Sequence, residues 1–114
     1  MATTAYMIVS APTPAALADV VRSMIPGGWQ PHAGVIDGGN SLYQALVTLN
    51  PLPANPYVTY DVRASTTPSG LATQVVAYTN SVQGAELLGT PLHTSGLFLQ
   101  AVAAPSGSTA GGSD

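Results

Sequence analysis

The chain has 114 residues, of which 6% are charged: Arg22 and Arg63, no lysine, and the acids Asp19, Asp37, Asp61, Glu86 and Asp114. An average soluble chain carries roughly 25% charged residues, and two cations within a net charge of −3 exclude a basic nucleic-acid surface. The absence of cysteine excludes a disulfide framework and a thiolate metal site, and the apolar residues fall in runs well short of the roughly 20 that a membrane span needs.

Met1–Ser10 has no basic n-region and no long apolar stretch, so no signal peptide is expected. Ala5–Ser10 is a short apolar run closed by Pro12 and reads as a buried strand. Thr13 is placed to cap a helix, with Pro14 at the first helical position, where a missing N–H costs nothing. Leu17, Val20, Val21, Met24 and Ile25 then recur with the spacing of one apolar helix stripe. Pro26 and Gly27–Gly28 end it. Trp29–Ile36 and Leu42–Leu49 read as strands about a turn at Asp37–Ser41. Residues 50–56, NPLPANP, hold three prolines and form an extended linker.

The second half repeats the first. At an offset of 54, Tyr6 meets Tyr60, Ile8 meets Val62, Thr13 meets Thr67, Pro14 meets Pro68, Leu17 meets Leu71, Ala18 meets Ala72 and Val21 meets Val75. At an offset of 56, Gly28 meets Gly84, Gln44 meets Gln100 and Ala45 meets Ala101. A strand over Tyr57–Ala64 therefore leads to a helix from Pro68, burying Leu71, Val75, Tyr78 and Val82 and stopped by Gly84. Glu86–His93 is a strand that Gly89 and Pro91 place at an edge or break. Leu97–Ala103 is the last strand.

The organisation expected is a first βαββ repeat over 1–49, the linker 50–56, a second repeat over 57–103 and a Gly/Ser-rich tail over 104–114. One repeat alone is too small for a stable core. The fold class is α+β, two repeats packed with pseudo-twofold symmetry, with two helices on mostly antiparallel sheet and the first strand beside the third.

Residues 6–47 resemble a small bacterial and phage family, domain of unknown function 1737. Its pattern is a tyrosine-led strand ending in Val-Ser, a leucine-bearing helix, G-W-x-P-x-G-G and then Y-Q-A-M. Tyr6, Val9, Ser10, Leu17, Gly28, Trp29, Pro31, Gly34, Tyr43, Gln44 and Ala45 match it, while Ala33 replaces a glycine and Leu46 the methionine. The second repeat keeps Tyr60, Leu71, Gly84, Gln100 and Ala101 but has Ala85 in place of the tryptophan. The resemblance implies a fold and a small accessory protein of phage type, and no activity.

No catalytic, cofactor or metal residues are expected. His32 and His93 are not equivalent positions and cannot complete a zinc shell unaided. The acids sit in different elements, and Asp37 with Gly38 and Gly39 is a turn former. Trp29 is expected to close the core at the helix end. Gln44 and Gln100 form a symmetric hydrogen-bonding pair if buried.

Thr, Ser, Gly and Ala stand where surface charge would keep a free monomer dispersed, which suits a surface covered by partners. With the phage occurrence that the resemblance implies, the expected function is a structural accessory protein of a large assembly, a phage capsid decoration or cement subunit in the virion. Its expected partners are the major capsid protein and copies of itself, with no nucleic acid, membrane or cofactor. The expected interface is the tail: Pro105, Ser106, Gly107, Ser108, Thr109, Ala110, Gly111, Gly112, Ser113 and Asp114. The alternative is a cytoplasmic module binding a peptide or small molecule between the repeats. An enzyme ranks last, for want of a nucleophile or acid–base cluster.

Overall fold

The structure is a computed structural model, and it describes residues 2–94 and 96–105. Among these the chain runs β1 (Ala2–Ala11), α1 (Pro14–Met24), β2 (Gln30–Asp37), β3 (Leu42–Asn50), β4 (Thr59–Ser65), α2 (Pro68–Ser81), β5 (Glu86–Thr94) and β6 (Leu97–Ala104). The fold is α+β, with two three-stranded antiparallel sheets ordered β1-β3-β2 and β4-β6-β5. Each repeat is a βαββ unit whose first strand pairs with its third. Ala104, expected in the tail, completes β6.

The two helices begin identically. Thr13 and Thr67 are extended, and their hydroxyls accept the N–H of Ala16 at 3.1 Å and of Gly70 at 3.0 Å. Pro14 and Pro68 follow with φ already suited to a helix. A short 3-10 turn, Ile25–Gly27, continues α1, and Gly28 closes it in the left-handed region with its N–H on the Ile25 carbonyl. Trp29 then packs half-buried against the core, as expected.

The second strands share an irregularity. Pairing with the central strand slips between His32 and Ile36 in β2, and between Leu88 and Leu92 in β5. Ala33 (φ +61°) and Gly89 (φ +68°) occupy the same place in the two bulges. Buried Gln44 and Gln100 hold them. The Gln44 amide donates to the carbonyls of His32, Ala33 and Ala45, and the Gln100 amide to those of Leu88, Gly89 and Ala101. The glutamines thus do the same work in each repeat and do not bond to one another.

How the repeats meet differs from the expected pseudo-twofold arrangement. α1 lies against β1 and β3 of its own sheet and also against β4 of the second sheet, whereas α2 lies against β4 and β6 of its own sheet. Leu17, Ala18 and Val21 of α1 are fully buried, in one core with Val35, Leu42 and Leu46 of the first sheet and Tyr60, Val62, Leu88, Leu99 and Ala101 of the second. The packing is head-to-tail: the helix of the first repeat receives the back of the second repeat's sheet. A twofold axis would have put Tyr6 on the second repeat as Tyr60 is put on the first. Tyr6 is instead 60% exposed, and Tyr60 1%.

At the bulges the sheets approach so closely that a Cβ on Gly89 would lie 2.6 Å from the Gly34 nitrogen. On the other flank, Arg22 of α1 donates to the Tyr60 carbonyl at 2.9 Å and pairs with Asp19.

Candidate interaction surface

Four ionisable side chains form one line of ion pairs between the repeats, since Arg22 of α1 lies 3.8 Å from Asp61 of β4, and the others stand apart. Asp19 pairs with Arg22 on the exposed side of α1. Asp61 lies 3.2 Å from Arg63, whose guanidinium stands over the Tyr78 ring. Asp37 accepts from the Thr94 hydroxyl at 2.6 Å and from the Gly39 N–H at 3.0 Å, which ties the end of β2 to the end of β5. These two bonds, the Thr94 one first, hold its carboxyl below the usual value of 3.8. His93 stacks on Phe98. His32 and Glu86 border one cleft beside the linker, where Glu86 accepts from the Tyr57 hydroxyl. Burial, and then Glu86, pushes the Tyr57 phenol up to about 12. No three His, Cys, Asp or Glu side chains among the described residues gather where a metal could sit. No helix among them is long and apolar enough to cross a membrane.

The surface feature that the repeats themselves define is the outer face of the first sheet. Side chains alternate along β1: Met7, Val9 and Ala11 turn to the core, and Tyr6, Ile8 and Ser10 turn away. Tyr6 pairs across with Val47, Ile8 with Ala45 and Ser10 with Tyr43, while Ile36 of β2 pairs with Tyr43. Tyr6, Ile8 and Ile36 are 60%, 54% and 56% exposed. The corresponding residues of the second sheet, Tyr60, Val62 and Leu92, lie in or against the core. One sheet back is covered by a helix. The other is open.

The outer side of the second repeat shows the reverse. Between α2 and its own hairpin lies an apolar groove of about 430 Å³, bordered by Leu71, Ala72, Val75, Pro91, Phe98 and Gln100. Ala72 is exposed and Val75 only half-buried, although their counterparts Ala18 and Val21 are fully buried. Among the described residues nothing donates to the Gln100 Oε1, whereas the Gln44 Oε1 accepts the Tyr60 hydroxyl at 2.6 Å.

Of the expected interface, Pro105 is half-buried against Gly84 at the end of β6. Residues 106–114 lie outside the described residues. The open sheet face was not singled out in the sequence, although the signal was there: Tyr6 and Ile8 align with Tyr60 and Val62. Which copy of the pair is covered depends on the packing of the repeats, and alignment alone does not give that.

Comparison with protein-family models, with curated proteins and with solved structures returned no match. The likeness of residues 6–47 to domain of unknown function 1737 therefore rests on the residues that carry it.

Proposed function

We propose that the chain is a structural accessory subunit that acts by docking onto other proteins, of the kind that decorates or cements a phage capsid. One observation carries this reading: an apolar face, Tyr6, Ile8 and Ile36, is open on the first sheet while the same face of the second sheet is buried under a helix. Contiguous apolar exposure of this kind marks protein contact sites. The sparse charge supports the reading, because a surface on a chain with no lysine and 6% charged residues can be covered with few ions buried unpaired. The virion, capsid-protein neighbours and the resemblance to a phage-type family belong to the same proposal.

A rival reading has one observation in its favour. The cleft of about 460 Å³ beside the linker, bordered by His32, Tyr57 and Glu86, is of the size that small ligands use. Another space between the repeats, at the Asp37–Ser41 turn, is about 240 Å³ and falls below the roughly 300 Å³ where such sites begin.

The test is gradient sedimentation of particles from cells that make the protein naturally. Wild-type chain is expected to travel with a particle far heavier than itself. A chain with Ile8→Asp and Ile36→Asp, folded by circular dichroism, is expected to stay at the top. Wild-type chain that stays at the top in every preparation contradicts the docking reading. Loss of a bound small molecule on replacing His32 and Glu86 would favour the rival.

A further inference from the structure

We infer that the partner of the open sheet face is the α2 groove of a second copy of this chain, joined head-to-tail with Tyr6 as the inserted side chain. This rests on the docking reading above and names one occupant. The template is the contact between the two repeats inside a single chain.

In the first repeat, the space between α1 and its hairpin is walled by Leu17, Ala18, Val21, Val35, Leu42 and Gln44. Tyr60 of the second repeat fills it and donates its hydroxyl to the Gln44 Oε1. In the second repeat, the residues at the same six positions are Leu71, Ala72, Val75, Pro91, Phe98 and Gln100, and these border the empty groove. The side chain equivalent to Tyr60 is Tyr6, 60% exposed on the outer face of the first sheet. Knob and hole are thus both present, related by the step that joins the repeats within the chain, and neither is used internally. Chemistry agrees with shape. The groove offers apolar walls and an acceptor without a donor, and Tyr6 brings a ring and a donor.

A flat apolar face alone would not choose among partners. The choice follows from the built contact, which the same sequence pattern already makes once. Such a contact is heterologous, so each copy has one used and one free end and chains can grow. It is also weaker than its template. Ala33 and Thr90 stand where Gly89 and Gly34 touch inside the chain, and their side chains keep the two bulges from closing to the same distance. Association is therefore expected to be concentration-dependent in solution, and stronger on a particle that presents many neighbouring sites.

The experiment is sedimentation velocity of wild-type chain, Tyr6→Ser and Ala72→Arg across about a hundredfold range of concentration. Both replaced residues are exposed, so the variants fold, and circular dichroism checks this. Wild type should grow beyond the monomer with concentration. Each variant alone should weaken association by more than about tenfold. An equimolar mixture should form a dimer and nothing larger, because Tyr6→Ser keeps the groove and Ala72→Arg keeps the knob. Wild type that stays monomeric throughout overturns the inference, and does so without touching the docking reading if the same protein still travels with a particle. Wild type that stops at a dimer, with variants that do not complement, also overturns it.

Discussion

The Tyr60 hydroxyl donates to the Gln44 Oε1 at 2.6 Å, and this bond joins the first strand of one repeat to the central strand of the other. Both side chains are almost wholly buried. The same glutamine uses its amide to hold the bulge of β2, so one residue fixes a strand irregularity and the seat of the neighbouring repeat.

Tyr60→Phe leaves the Gln44 Oε1 buried without a donor, which costs about 1–3 kcal/mol. Urea denaturation should show that loss. Tyr6→Phe, at the equivalent but exposed position, should leave the stability of the isolated chain unchanged.

The tyrosines also set an alkaline limb. Burial first, and then the Asp61 charge, raises the Tyr60 phenol above its usual value of 10, and Tyr57 is raised to about 12. The unfolded chain ionises its phenols near 10 while these two stay protonated in the fold. Stability is therefore full below pH 10 and falls as pH rises from there toward 12. Denaturation midpoints measured across this range should fall for wild type, and less steeply for Tyr60→Phe.

Much of the fold is legible in the chain because its signals are local. Thr13–Pro14 and Thr67–Pro68 start the helices by a hydroxyl cap and a preset φ. Gly89 and Pro91 disturb the edge strand where they stand, and the slip in β5 falls between Leu88 and Leu92. The direction of packing between repeats is not local. Tyr6 and Tyr60 head similar strands, and the seating of Tyr60 and Val62 against α1 and Gln44 separates head-to-tail from twofold packing. The open face and the groove follow from that seating and stayed hidden with it.

Gly89→Ala should be strongly destabilising. Its φ of +68° disfavours a side chain, and the added Cβ would meet the Gly34 backbone nitrogen at 2.6 Å. The left-handed conformation alone costs about 1–2 kcal/mol, and the backbone clash adds to it. Ala33→Gly, at the matching bulge position, should change stability by less than about 1 kcal/mol, since relief of strain is offset by a freer unfolded chain. Thermal unfolding of the two variants side by side checks the contrast.

Asp37 and Thr94 tie the repeats at the turn end, and the carboxyl is held below 3.8 by that bond. A lowered folded pKa gives stability that is present above the ordinary value and lost as pH falls through the folded one. The acid limb of wild type should therefore be steeper than that of Thr94→Val. Denaturation midpoints between pH 5 and pH 2 make the comparison.

The most direct measurement is hydroxyl-radical footprinting of the chain in its assembled state against the dilute chain, read on the peptides that carry Tyr6, Ile8 and Ile36. The expected result is a several-fold fall in oxidation at these three residues on assembly, with buried Tyr60 slow in both states. Equal oxidation of Tyr6 and Ile8 in the two states would contradict docking through the first sheet.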